Sequence, residues 1–238
     1  KLRNRDRKIK KNPEVFEKRG EDIWVAKSAK VAPTACLNGP LIVDEDAEIK
    51  AYQEQYGEEN VLVVDSGLTV TPYAHFEEEN FVVYLRQGAY VLAEHMYDIR
   101  SPEDESKYVE PGATEDNAIG LTRRPFVNFY NCKNIKLVGR GVLDLSHLDR
   151  RERRGLVFTQ CSNIEVEGIK IINSPEWSFI TYRCQNLKIK DVDIFGYKMN
   201  SDAFAICNTQ GGLIERCFAR SGDDLFDVKT LGAPEPSA

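Results

Sequence analysis

A Cys-x-Asn hexapeptide written three times in the second half of this chain of 238 residues constrains its fold more than any other feature. Cys132-Lys133-Asn134-Ile135-Lys136-Leu137 returns as Cys161-Ser162-Asn163-Ile164-Glu165-Val166 and as Cys184-Gln185-Asn186-Leu187-Lys188-Ile189. A degraded fourth copy runs Thr209-Gln210-Gly211-Gly212-Leu213-Ile214, so the anchors 134, 163, 186 and 211 are 29, 23 and 25 residues apart. Apolar and polar residues alternate inside the copies: Leu187 and Ile189 flank Lys188, and Val192 and Ile194 flank Asp193. That is the period of a strand, and β units repeating every 20 to 30 residues or so signal a solenoid rather than a fortuitously repetitive sandwich. The fold class expected is all-β, a parallel β-helix. Coils of such a helix stack at about 4.8 Å, so Asn134, Asn163 and Asn186 are expected to form an internal amide ladder. Cys132, Cys161 and Cys184 are expected to stack as buried thiols.

The same stacking gives meaning to an acidic cluster. Asp223 and Asp224 follow Asp202 by 21 and 22 residues, one coil, which brings the three carboxylates together. Neighbouring strand residues point to opposite faces, so both members of the pair reach one groove only at a bend, for which Gly222 is the candidate.

The rest of the chain is read around these coils. Lys1–Arg19 is a basic, apolar-poor tail, and residues 20–80 hold short β-like pieces (Ile23–Ala26, Leu41–Val43, Val61–Val64, Leu68–Val70) expected to cover one end of the solenoid. The β-helix itself is placed over 81–238, its first coil at Phe81–Leu85 and Ala89–Leu92. Glu94–Asn117, acidic and aperiodic, reads as an exposed loop, and Arg150-Arg151-Glu152-Arg153-Arg154 as a solvated or groove-facing loop. No end cover is recognisable after Lys229, where a tail carries Pro234 and Pro236, so the solenoid is expected to be missing its C-terminal part. A net charge of −6 argues against a general nucleic-acid partner, and no run approaches the roughly 18 apolar residues of a membrane span. No apolar signal segment is visible near Lys1. Six cysteines are too few for a disulfide-built fold.

Several motifs then resemble one family. Asn200-Ser201-Asp202 and Gly222-Asp223-Asp224 are similar to the Asn-Thr-Asp and Gly-Asp-Asp motifs of the polygalacturonase-like glycoside hydrolases of family 28. Gly139-Arg140-Gly141-Val142-Leu143-Asp144, Asn173-Ser174-Pro175-Glu176-Trp177 and Tyr84-Leu85-Arg86-Gln87-Gly88-Ala89 resemble its Gly-x-Gly-x-x-Asp, Asn-Ser-Pro-x-Trp and Tyr-Leu-x-x-Gly-Ala segments. The resemblance implies a right-handed β-helix, a carbohydrate substrate of pectic type, hydrolysis with inversion and no cofactor or metal. It makes Asp223 the general acid, gives Asp202 and Asp224 the holding and activation of water, and assigns Asn200 to the supporting motif. It also favours an extracellular or periplasmic location. The family's Gly-His-Gly and Arg-Ile-Lys motifs fall after the Asp pair and have no counterpart up to Ala238; His75, His95 and His147 all precede the cluster.

The residues themselves support acid–base chemistry. An inverting glycosidase needs a protonated carboxyl and, about 6.5–9.5 Å away, a carboxylate that activates water. Crowded acids cannot all ionise, and repulsion leaves one able to hold a proton. Trp177 and Tyr182 are candidates for stacking on sugar rings. Lys229 is a candidate for a sugar carboxylate or for a pair with Asp227, which stands where the family has a small or apolar residue. Two other functions use the same cluster: a calcium-dependent polysaccharide lyase, since carboxylates bind hard cations, and a carbohydrate-binding β-helix without catalysis.

Overall fold

The computed structural model describes residues 16–18, 24–26, 45–95, 125–150 and 152–230. The chain divides into two compact units, Lys1–Glu48 and Ile49–Ala238. In the first, β1 (Phe16–Lys18) pairs antiparallel with β2 (Trp24–Ala26). A helix follows, α1 (Glu45–Tyr56).

The second unit is a parallel β-helix wound as successive three-strand coils. These are β3 (Val61–Val64), β4 (Gly67–Thr71) and β5 (Ala74–Phe76); then β6 (Glu79–Leu85), β7 (Ala89–Ala93) and β8 (Pro125–Tyr130). They continue with β9 (Lys133–Gly139), β10 (Val142–Asp144) and β11 (Arg154–Thr159), then β12 (Ser162–Glu167), β13 (Lys170–Ile172) and β14 (Phe179–Tyr182). The last two coils are β15 (Gln185–Lys190), β16 (Asp193–Phe195) and β17 (Phe204–Cys207), and β18 (Gln210–Glu215), β19 (Phe218–Arg220) and β20 (Phe226–Lys229). Each coil gives one strand to each of three six-stranded sheets, ordered β3-β6-β9-β12-β15-β18, β4-β7-β10-β13-β16-β19 and β5-β8-β11-β14-β17-β20.

The register is the one the repeats dictate: Ile135 lies on Ile164, Ile164 on Leu187, and Leu187 on Gly212. Alternation along each strand then sends one set of side chains inward. The interior holds Ile135, Ile164, Leu187 and a column of rings, Phe76, Phe129, Phe158, Phe179 and Phe204, with successive centroids 4.8–5.6 Å apart. Cys132, Cys161 and Cys184 are buried free thiols, and the Cys161 Sγ–H donates to Phe129 O at 3.3 Å and Thr159 O at 3.2 Å.

The asparagine ladder forms, but on the outside. Asn134 Nδ2 donates to Asn80 Oδ1 at 2.8 Å, Asn163 to Asn134 at 2.8 Å and Asn186 to Asn163 at 2.9 Å, all on exposed side chains. All four residues have φ between 54° and 56°, and Gly211 continues the row at φ 70°. Left-handed backbone is costly for residues with a Cβ except Asn and Asp, whose side chains bond locally, and is free for Gly. The anchor is thus Asn or Gly because of the turn, and the amide row is the consequence.

Two expectations about the start of the β-helix are corrected. Val61–Val64 and the strand containing Leu68–Val70 are rungs of the first coil, not cover strands, and Asn80 already belongs to the ladder. The helix α1 was not anticipated; Ile49, Tyr52 and Tyr56 pack on Val61, Val63, Val82, Tyr84 and Val138, the outward row of β3, β6 and β9. Residues 1–15 of the basic tail, Leu41–Val43, Cys36, most of Glu94–Asn117 and the tail after Thr230 lie outside the described residues. Among the described residues no helix is long and apolar enough to cross a membrane.

Candidate active site

Asp202 ends the turn between β16 and β17, and Asp224 ends the equivalent turn between β19 and β20. Phe204 pairs in register with Phe226, so the residues two positions earlier stack, and Ala203 N donates to Asp224 O at 2.8 Å. From the coil before, Ser178 N donates to Asp202 O at 2.8 Å. The side chains converge: oxygens of Asp202, Asp224 and Asp227 all lie within 4.8 Å of one another.

Their environments differ. Asp202 is 4% exposed and its Oδ1 is buried with no hydrogen-bond partner. Burial pushes its carboxyl above the ordinary value; the charges of Asp223 and Asp224 push the same way, against the Lys229 ammonium. Asp223 and Asp224 are exposed. Asp227 is ion-paired with Lys229, whose Nζ also sits 4.2 Å from the centre of the Trp177 ring. Oxygen donors in this number suit a hard cation in principle; here the Lys229 ammonium already engages one of the three carboxylates.

The bend that presents the Asp pair is built from backbone packing and two serines. Gly222 does not use left-handed φ; it is required because an added Cβ would fall inside contact with Lys198 O. Ser201, fully buried, donates its hydroxyl to Lys198 O at 2.6 Å and accepts Gly222 N at 3.2 Å. Ser221 donates to Ser201 O at 2.6 Å and accepts Asp223 N at 3.0 Å. Gly222 and Asp223 are thus tied to the preceding turn through side chains that alternation alone does not single out.

Of the other residues singled out in the sequence, Asn200 sits in the same turn at φ 66°. Trp177 is half-buried, and besides Lys229 it carries the Arg154 guanidinium at 5.3 Å from its ring centre. Tyr182 is fully buried beside Val157, Ile180 and Cys207, so it presents no ring to a sugar. The arginine run is solvated at Arg150 and buried from Glu152 on. Arg153 is completely buried, and Arg154 opens β11 and pairs with Glu176 at 3.0 Å; Arg151 lies outside the described residues. Sequence reasoning missed Arg154 and Glu176 as neighbours of Trp177, although Glu176 adjoins that residue in the Asn-Ser-Pro-Glu-Trp segment. A second group of donors, His95, Asp149 and Glu152, converges within 4.8 Å, with His95 Nδ1 3.0 Å from Glu152 Oε2.

Comparison with other proteins gives a family profile and a shared fold. Residues 130–232 match the profile of the Glycosyl hydrolases family 28. The fold is similar to that of a hyperthermoactive exopolygalacturonase from Thermotoga maritima, 20% identical with a TM-score of 0.58; the match covers 78% of this chain and 50% of that one. A polygalacturonase from Erwinia carotovora ssp. carotovora is 13% identical with a TM-score of 0.57, over 85% of this chain and 61% of that one. This chain therefore spans about half to three-fifths of the length of these two structures. No curated protein sequence matches it.

Proposed function

We propose that this polygalacturonase-like chain, of family 28 type across residues 130–232, hydrolyses glycosidic bonds in an acidic, pectic polysaccharide with inversion. The observation that carries the proposal is the meeting of Asp202, Asp224 and Asp227 within 4.8 Å, beside a half-buried Trp177 and the cations Lys229 and Arg154. Asp202 is the base. Its buried Oδ1 lacks a partner, and a carboxylate whose proton affinity is raised takes a proton from water more readily once ionised. Asp224, stacked on it, holds the same water. Asp223, exposed on the adjoining bend, is the acid that protonates the leaving oxygen. Lys229 exchanges its Asp227 partner for a sugar carboxylate, and Asn200 holds the turn. Oxocarbenium character develops between the two sides, and the acidic trough favours that positive charge.

The test is release of reducing ends from polygalacturonate in the presence of chelator, with the first-formed anomer read by NMR. Asp223→Asn is expected to lower kcat by at least about a hundredfold, the scale of a general acid, with unchanged circular dichroism. Full activity in that variant removes Asp223 from the mechanism. An unsaturated, ultraviolet-absorbing product that disappears with chelator replaces hydrolysis by elimination.

A further inference from the structure

The outer face of the first sheet is divided. Over β3, β6 and β9 its apolar row lies under α1, and where the helix ends at Tyr56 a groove of about 930 Å³ opens and runs across the later coils. One wall is the ladder of Asn134, Asn163 and Asn186; the floor row is Lys136, Glu165 and Lys188, in register on β9, β12 and β15. Tyr56 edges one end and Gly211 the other. From Asn80 to Gly211 the wall advances four coils, about 19 Å at the spacing of paired strands.

We propose that this groove is a second binding site for an extended uronic-acid oligosaccharide, separate from the aspartate cluster; the choice of a uronate over other anionic glycans rests on the function proposed above. Three features point to a charged sugar chain. Asn134 and Asn163 each use one N–H and one oxygen lone pair in the ladder, and Asn186 uses one N–H, leaving at least one donor and one acceptor per coil at regular steps. Repeated hydroxyls need such pairs, and an apolar peptide does not. The lining carries Lys136 and Lys188 against Glu165, a local excess of one positive charge on a chain of net charge −6. Glu165 is already held by both lysines, to Lys188 at 2.9 Å, so it does not repel an incoming carboxylate as a free acid would. The shared Lys188 ammonium keeps further N–H donors, and its side chain is 43% exposed.

The test is a titration of isotope-labelled chain carrying Asp223→Asn, followed by backbone amide NMR, with tetragalacturonate, its methyl-esterified neutral form and a tetraglutamate peptide as probes. Tetragalacturonate is expected to shift the signals of residues 134, 163, 186 and 188, the neutral form and the peptide much less. Lys188→Gln is expected to weaken that binding about fivefold, the loss of one exposed charge contact, with free-state signals changed only around the substitution and Glu165. Signals that move only around Trp177 and Asp202 overturn the second site. Equal shifts with the neutral form or with tetraglutamate, or an affinity indifferent to Lys188→Gln, overturn its assignment to a uronate chain. Because groove and aspartate signals are read separately, a chain that fails the reducing-end assay yet shows the groove shifts loses the hydrolase proposal and keeps this one.

Discussion

Asp202 is held where a carboxylate is uncomfortable, and that discomfort is measurable. Burial and the neighbouring acids raise its pKa in the folded chain, so the folded state binds that proton more tightly than the unfolded state, whose Asp titrates near about 3.9. Its contribution to stability is then complete below the unfolded value and is lost as pH rises through the higher folded value. Above that folded value the protein carries a buried charge against its own stability, and Asp202→Asn removes the penalty while keeping the shape. The variant is expected to melt above the wild type at pH 7, with the gap closing as pH falls toward about 4, and to lose hydrolysis throughout. A lower melting temperature at pH 7 would mean that the carboxylate has a stabilising partner. At this scale the sequence was informative wherever spacing alone decides proximity. Asp202 and Asp224 are one coil apart, and parallel register leaves them no choice but to stack. Ser201, Arg154 and Tyr182 were not legible in the same way: their roles depend on whether a turn or an outward strand face is covered, and no periodicity encodes what covers it.

At the scale of the element, the Asn row separates two effects that a single substitution would confuse. Asn163 uses its amide twice, accepting from Asn186 and donating to Asn134, and its backbone sits at φ 54°. Asn163→Gly loses the hydrogen bonds and keeps the conformation, as Gly211 does natively two positions along the row. Asn163→Ala loses both. The glycine variant is expected to be the more stable by about 1–2 kcal/mol, the penalty of left-handed backbone with a Cβ, in paired denaturant titrations. Equal stability would show that the amide bonds, at about 0.5–1.5 kcal/mol each, account for the anchor instead. The same pairing explains what was legible among the elements. The Cys-x-Asn coils declared themselves because turn and strand pattern recur together. The first coil did not, because Gly67 and Ala74 open β4 and β5 without the hexapeptide. Nor did α1, whose sequence Glu45-Asp-Ala-Glu-Ile-Lys-Ala-Tyr-Gln-Glu-Gln-Tyr56 is mostly polar and buries mainly one narrow stripe, Ile49, Tyr52 and Tyr56.

Across the described coils, burial is not uniform. Phe204 is 3% exposed, while Phe226, its register partner one coil on, is 54% exposed, and Phe218 and Val228 are 50% and 69% exposed. Among the described residues β18, β19 and β20 each have a strand neighbour on one side only. In a solenoid every coil draws its stability from the interfaces above and below it, and among the described residues the coil of β18, β19 and β20 has one such interface where β11 and β14 have two. Its unpaired backbone groups and the inward-facing Phe226 ring and Val228 side chain, which continue the rows of Phe204 and Ile206, are a template for another chain. Two copies meeting at this end bury the same rings and pair the same edges, and the expected result is reversible, concentration-dependent self-association of these 238 residues in sedimentation velocity. Val228→Lys combined with Phe226→Lys brings like charges face to face across such a contact and is expected to return the chain to the monomer. Hydrogen exchange supplies the location. Peptides within 210–229 are expected to exchange faster than 154–159 in dilute solution, and to slow as concentration rises in the wild type but not in the double variant. A chain that sediments as a monomer at every concentration, with 210–229 exchanging at one constant rate, would show that the exposed rings and edges of this coil do not recruit a second copy.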